Sequence, residues 1–81
     1  MHLEIITPDK KVYIGEVTSV SVPGTMGRFE MLTDHAPIIS TLQNGIVKIK
    51  DKEGVKTFDV KGGVVENLKN KIIILAESVW D

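Results

Sequence analysis

Of 81 residues, 26 are β-branched: ten Val, ten Ile and six Thr, against two Ala and five Leu. Branching at Cβ restricts rotamers beside a helical turn and packs well on a pleated sheet, so local preference leans to strands throughout. Gly and Pro cut the chain into short pieces at Pro8-Asp9, Gly15, Pro23-Gly24, Gly27, Pro37, Asn44-Gly45, Gly54 and Gly62-Gly63. Turn chemistry at such intervals predicts an all-β fold, a small antiparallel β-sandwich or flattened barrel of about eight to ten short strands. No repeat or linker divides residues 1–81, which are read as one domain. Strands are expected at 2–7, 11–14, 16–22, 28–32, 45–50, 55–60, 63–68 and 71–76, with 33–43 unassigned.

Alternation assigns faces. Val47 and Ile49 oppose Lys48 and Lys50, and Phe58 and Val60 oppose Thr57 and Asp59, as in half-buried antiparallel strands. These two strands are expected to form a hairpin through Asp51-Lys52-Glu53-Gly54. Elsewhere the alternation breaks: Ile5-Ile6, Val64-Val65 and Ile72 through Leu75 put apolar side chains on both faces. The second face needs cover, from chain ends and loops or from a partner protein.

Charge narrows the partners. Ten Lys+Arg balance eleven Asp+Glu, no basic run exists and four residues are aromatic, so nucleic acid is not an expected partner. The longest apolar run, Ile72 to Ala76, is far short of a membrane span, so no direct membrane insertion is expected. The start Met1-His2-Leu3-Glu4 has no signal-peptide pattern and there is no Cys, which together read as cytoplasmic.

No chemistry assembles from the short motifs. His2 and His35 stand apart from any cluster with metal-ligand spacing, and no nucleophile has a base beside it in sequence. Catalytic, cofactor and metal residues are therefore expected to be none. His35, in Thr33-Asp34-His35-Ala36-Pro37, reads as a hydrogen-bonded loop histidine. Gly24-Thr25-Met26-Gly27 has a Gly-x-x-Gly spacing, but strand rather than helix follows Arg28, so it reads as a turn needing positive φ. Arg28, the one Arg in the chain, is either an interface contact or a solvated loop charge. Lys52 at a hairpin tip raises a competing class, since lipoyl and biotinyl carrier domains are all-β units of this size with a modified Lys on a turn; its flanks lack their usual residues.

The ordered set of segments resembles the epsilon subunit of the bacterial F-type ATP synthase, in its N-terminal β-sandwich domain. It comprises Leu3-Glu4-Ile5-Ile6-Thr7-Pro8, Gly15-Glu16-Val17, Pro23-Gly24 with Gly27 and Phe29, Met31-Leu32, His35-Ala36-Pro37, Asn44-Gly45, Val60-Lys61-Gly62-Gly63-Val64-Val65-Glu66 and Ile74-Leu75-Ala76-Glu77. Glu30 and Thr33-Asp34 depart from the family's common Gly and Pro-Gly. After the Ala-Glu segment family members continue into a two-helix hairpin, whereas this sequence ends at Ser78-Val79-Trp80-Asp81, which is read as a naturally short form.

The resemblance implies a non-catalytic rotor subunit that binds the gamma subunit and the membrane c-ring, coupling ion-driven rotation to ATP synthesis. It implies a peripheral location on the cytoplasmic face of the bacterial inner membrane. Matched position by position, Thr7, Met26, Gly27 and Arg28 would face the c-ring, and His35 and Ser40 the gamma subunit. Trp80 would fold back over strand 71–76, on surface that the hairpin covers in longer relatives. A free-standing β-sandwich adaptor is the remaining alternative.

Overall fold

The computed structural model describes residues 1–80 and contains ten strands there: β1 (His2–Ile6), β2 (Lys11–Glu16), β3 (Ser19–Gly24), β4 (Gly27–Leu32), β5 (Ile38–Leu42), β6 (Gly45–Asp51), β7 (Gly54–Lys61), β8 (Gly63–Leu68), β9 (Lys71–Leu75) and β10 (Ser78–Trp80). The all-β expectation holds, and among the described residues there is no helix. The order is β10-β7-β6-β3-β5-β8-β9-β1-β2, with β4 on the free side of β3. Every pairing is antiparallel except β1 with β9.

Two five-stranded halves result, β10-β7-β6-β3-β4 and β5-β8-β9-β1-β2. They are stitched at one side by the Gly24–Leu42 pairing, with Thr25 N–H donating to the Thr41 carbonyl at 3.0 Å and Gln43 N–H to that of Pro23 at 2.9 Å. On the other side Val17 N–H reaches the Met1 carbonyl and Thr18 N–H that of Lys50, both at 2.8 Å. This second seam corrects the expected strand over 16–22. Glu16 still belongs to β2, and Val17-Thr18 leave β1 to cross to β6 before β3 begins. The other differences are the added strands β5, inside the unassigned 33–43, and β10.

Between the halves lies one core. Leu3, Ile5, Val20, Val22, Met31, Val47, Val60, Val65, Ile72 and Ile74 are wholly buried. The expected hairpin is present, with Asp51 opposite Gly54 and Val47 opposite Phe58. One polar side chain intrudes: Asn67 is buried between its partners Ile38 and Ile72, and neither its amide N nor its O has a hydrogen-bond partner.

Trp80 does not cover strand 71–76. Val79 pairs with the buried Val60 and packs on the core, so the neighbouring Trp80 turns outward beside Asp59, with Lys61 Nζ 5.6 Å from its ring centre. Trp80 stays 58% exposed. Pairing with the edge of β7 gives the backbone of Ser78–Trp80 hydrogen-bond partners.

The outer face of β5-β8-β9-β1-β2 is left open. Register sets its side chains in cross-strand ranks: Thr41, Val64, Leu75 and Ile6 in one, and Ile39, Glu66, Ile73, Glu4 and Ile14 in the next. Ile39 is 69% exposed, and Ile14, Leu68 and Leu75 are each about half exposed.

Candidate functional site

The residues singled out in sequence fall at the two ends of the sandwich. Thr7 closes the β1–β2 turn, its N–H donating to the Lys10 carbonyl at 2.9 Å. Ala76 N–H binds the Ile6 carbonyl, and Thr25 binds Thr41 through both backbone and a 2.7 Å hydroxyl contact. Since Thr41, Val64, Leu75 and Ile6 share a rank, Thr7 and the β3–β4 tip lie at one end. Three strands separate β1 from β3, so the two loops stand about 20 Å apart along the curved sheet.

At that tip Met26 is 98% exposed. Gly27 has φ +127°, a conformation that side-chain-bearing residues rarely adopt, as the sequence spacing predicted. The guanidinium of Arg28 donates to the Ile46 carbonyl at 2.5 Å, which ties the exposed charge to β6. A depression of about 370 Å3 bounded by Ile6, Thr7, Pro8, Leu75, Ala76 and Glu77 completes this end.

His35 sits at the opposite end. Its Nδ1 lies 2.7 Å from the Ala36 carbonyl and its N–H donates to the Leu32 carbonyl at 3.0 Å. The loop is pinned by a reciprocal pair: Asn70 Oδ1 accepts from Asp34 N–H at 2.7 Å, and Asn70 Nδ2 donates to Asp34 Oδ1 at 2.9 Å. Both residues have positive φ, which Asp and Asn tolerate through local hydrogen bonding. Ser40 lies midway along β5, half-buried, on the same side as Leu42 and opposite Val65. The fold thus separates Thr7 and Met26–Arg28 from His35, with Ser40 between.

Sequence reasoning missed two clusters because their members meet only across strands. At the open seam Tyr13 donates to Asp51 Oδ2 at 2.9 Å, Lys56 Nζ lies 3.1 Å from the same oxygen and 2.7 Å from Glu53 Oε1, and Glu53 N–H donates to Asp51 Oδ1 at 2.8 Å. The Tyr13 hydroxyl first, then that N–H and Lys56, hold the Asp51 carboxyl below its usual range. Burial, then Asp51, pushes the Tyr13 phenol up. These groups line a groove of about 690 Å3 that also includes Lys52. On the outer face His2 stands between two carboxylates, Glu4 at 2.9 Å and Glu16 at 3.3 Å, and its bond is the chief cause of a lowered Glu4 carboxyl. The third acidic side chain of that face, Glu66, has no ion-pair partner among the described residues.

Neither cluster sets a nucleophile beside a base, and the exposed ends and apolar outer face present contact surface rather than an enclosed reaction site. The family described as ATP synthase, Delta/Epsilon chain, beta-sandwich domain matches residues 1–81. Curated relatives include the ATP synthase epsilon chains of Caulobacter vibrioides, 38% identical with 95% of this chain and 90% of the relative covered, and of Leptospira interrogans, 43% identical with 95% and 61% covered. That of Chlorobium limicola is 40% identical, with 95% and 89% covered. The chain therefore spans from under two thirds to nine tenths of these relatives' lengths. In solved structures, a chain of the Euglena gracilis mitochondrial ATP synthase, OSCP/F1/c-ring, superposes with a TM-score of 0.88 at 17% identity, covering 96% of this chain and 51% of that one. A chain of the Tetrahymena thermophila mitochondrial ATP synthase central stalk/c-ring gives 0.83 at 19%, covering 100% and 66%. At such identities these likenesses speak for the fold alone.

Proposed function

Because this chain belongs to the ATP synthase delta/epsilon-chain β-sandwich family, we propose that it is a non-catalytic subunit of the central stalk. In this reading it binds the gamma subunit with one surface and the c-ring with another, and it rotates with them. The family match over residues 1–81 carries the proposal. Thr7, Met26, Gly27 and Arg28 would make the c-ring contact, and His35 and Ser40 would face gamma. The complex is membrane-associated; no helix among the described residues is long and apolar enough to cross a membrane, in keeping with a peripheral position, which we assign to the cytoplasmic face. The reading of Lys52 as a modified carrier residue gives way to the family match, although Lys52 does lie exposed at the β6–β7 tip.

The work asked of such a subunit is mechanical. Two sheets whose side chains interlock at near-crystal density transmit load with little give. Met26, fully in solvent on a hairpin whose neighbouring Arg28 is tied to β6, supplies an apolar contact on a stiff mount.

Immobilised chain, incubated with detergent-solubilised membranes of the source cell, is expected to retain gamma, c-ring and catalytic subunits, identified by mass spectrometry. Gamma left in the flow-through while unrelated proteins bind would overturn the stalk reading in favour of a free-standing adaptor.

A further inference from the structure

We infer that Asn70 is the positioning residue for His35: its carboxamide, clamped on Asp34, fixes the loop that presents the imidazole, and on the stalk reading above that loop is what meets the gamma subunit. The loop between β4 and β5, residues 33–37, is held from outside. It opens on a turn closed by His35 N–H donating to the Leu32 carbonyl at 3.0 Å, with Thr33 and Asp34 as the central pair. Asp34, the second of them, has φ +67°, the place and sign of a type II turn, where Gly or Asn is the usual residue. An Asp in that conformation needs compensation. Asn70 supplies it: its Oδ1 accepts from Asp34 N–H at 2.7 Å while its Nδ2 donates to Asp34 Oδ1 at 2.9 Å. Among the described residues, these are the hydrogen bonds that tie the loop to another element of the fold.

Asn70 is itself firmly mounted. It is the second residue of the two-residue β8–β9 turn, across which Leu68 pairs with Lys71, and Lys69 and Asn70 have φ of +50° and +61°, both positive as a type I′ turn requires. Its carbonyl accepts from His2 N–H at 2.8 Å, so the turn, the first strand and the loop meet at this one residue. The backbone at Asp34, and with it the direction of the following His35, is therefore set from 36 residues away in sequence. At His35 the setting reaches the ring. Its Nδ1 lies 2.7 Å from the Ala36 carbonyl, which can only accept, so Nδ1 carries the proton and Nε2 of the neutral ring is left as the acceptor. A loop that leaves the Asp34 turn loses this contact and the single tautomer with it. Asn70 thus governs which hydrogen-bonding group His35 offers, while the sheet forms without its carboxamide.

The test separates the carboxamide from the turn that carries it. Asn70→Gly keeps the turn, since Gly is favoured at the second place of type I′, and keeps the carbonyl that His2 uses; only the carboxamide is deleted. Asn70→Asp keeps an acceptor for Asp34 N–H but sets a carboxylate oxygen against Asp34 Oδ1, and adding Asp34→Asn restores a reciprocal pair with donor and acceptor roles exchanged. NMR of the full chain reads the amide exchange of His35 and the shifts of its two ring nitrogens, and titration with purified gamma subunit reads affinity. Asn70→Gly is expected to speed His35 amide exchange roughly tenfold and to weaken gamma binding roughly fivefold, with a melting curve close to the wild type. Its ring shifts should move from the Nδ1–H tautomer toward a mixture. Asn70→Asp should move the same way, and Asn70→Asp with Asp34→Asn should return to wild-type exchange, tautomer and affinity. Wild-type exchange and ring shifts in Asn70→Gly, or no recovery in the double variant, would overturn the inference. A loosened loop with unchanged gamma affinity would overturn the step to gamma and leave the stalk reading intact. Failure of gamma to bind even the wild-type chain would overturn the stalk reading and that step together, while the NMR measurements, which need no partner, still decide the positioning.

Discussion

Replacing Asn67 with Val should make the domain more stable. Asn67 is 1% exposed, lies between Ile38 and Ile72 on the core side of β8, and leaves both polar side-chain atoms without a partner. Burying an amide in this way forfeits its hydrogen bonds to water, at a cost of about 1–3 kcal/mol per unsatisfied group. Val is larger than Asn by roughly one methylene, satisfies the apolar contacts of its neighbours and prefers strands. Taking the middle of that range for one amide gives a gain of about 2 kcal/mol. For a domain of this size the gain corresponds to a rise in Tm of about 8–16 °C. Differential scanning calorimetry, with urea titration as a second probe, reads it directly. Asn67→Ala should gain less because it leaves a small cavity, and Asn67→Asp should lose stability because a buried charge has no counter-ion. An Asn67→Val protein less stable than the wild type by 1 kcal/mol or more would refute the reasoning, because it would mean that the amide is satisfied in solution, as by an ordered internal water.

Four further outcomes are expected. Gly63 has φ +124°, and a Cβ there would collide with the Leu75 carbonyl oxygen, so Gly63→Ala should lower stability by more than about 3 kcal/mol or prevent folding, as judged by circular dichroism and melting. Asp51, whose carboxyl is held low by Tyr13, the Glu53 N–H and Lys56, contributes stability that is present above the ordinary Asp range and lost as pH falls through its folded value; urea midpoints should therefore fall more between pH 6 and pH 3 for the wild type than for Asp51→Asn. Trp80 fluorescence in the isolated chain should lie near the solvated wavelength and be quenched readily by acrylamide, whereas a blue-shifted, protected emission would contradict its outward position. Ser40→Glu should lower melting temperature as well as gamma affinity, because Ser40 shares the inner side of β5 with Leu42, and a change in affinity alone would place the side chain at the interface and outside the core.

What the sequence made legible was local. Asp51 and Gly54 bracket a two-residue loop between alternating strands, and period-two patterning at Val47, Ile49 and Val60 survived intact because each of these strands has one dry face and one wet one. β5 escaped notice because Ile38-Ile39-Ser40-Thr41-Leu42 follows a proline and mixes apolar and hydroxyl residues without clean alternation; its outer side, Ile39 and Thr41, faces neither core nor ordinary polar surface. β10 was hidden for another reason. Three residues carry too little pattern, and what makes them a strand is the backbone of β7 waiting at the edge. The Tyr13–Asp51–Lys56 seam and the His2–Glu4–Glu16 cluster were invisible because their members are far apart in sequence or alternate along a strand, and only the β1–β2 register and the crossing at Val17-Thr18 bring them together. The apolar runs at Ile5-Ile6, Val64-Val65 and Ile72 to Leu75 did announce a second apolar face; which side of the sandwich it formed needed the strand order.

That strand order also explains why a domain so rich in β-branched residues can present one sticky side and one wet one. On the outer side of β6 and β7 the cross-strand pairs include Lys48 with Thr57 and Ile46 with Asp59, while the basic Lys50 sits opposite Val55. Each apolar residue there faces a charge, which interrupts any continuous patch. On the outer side of β8, β9 and β1 the corresponding rank reads Val64, Leu75 and Ile6, with no charge to interrupt it. The difference lies in residues that have no part in the core, so folding alone does not require it: a sandwich with Thr or Lys at Val64, Leu75 and Ile6 would bury the same Leu3, Ile5, Val65, Ile72 and Ile74. Exposed Leu and Ile in a small domain cost solubility and edge safety without adding to the interior. Exposed Leu and Ile occur on both sheets, Leu32 and Ile46 on one and Ile14, Ile39, Leu68 and Leu75 on the other, but in the second sheet Leu75 stands between Val64 and Ile6 in a cross-strand rank without a charge, whereas Ile46 stands opposite Asp59.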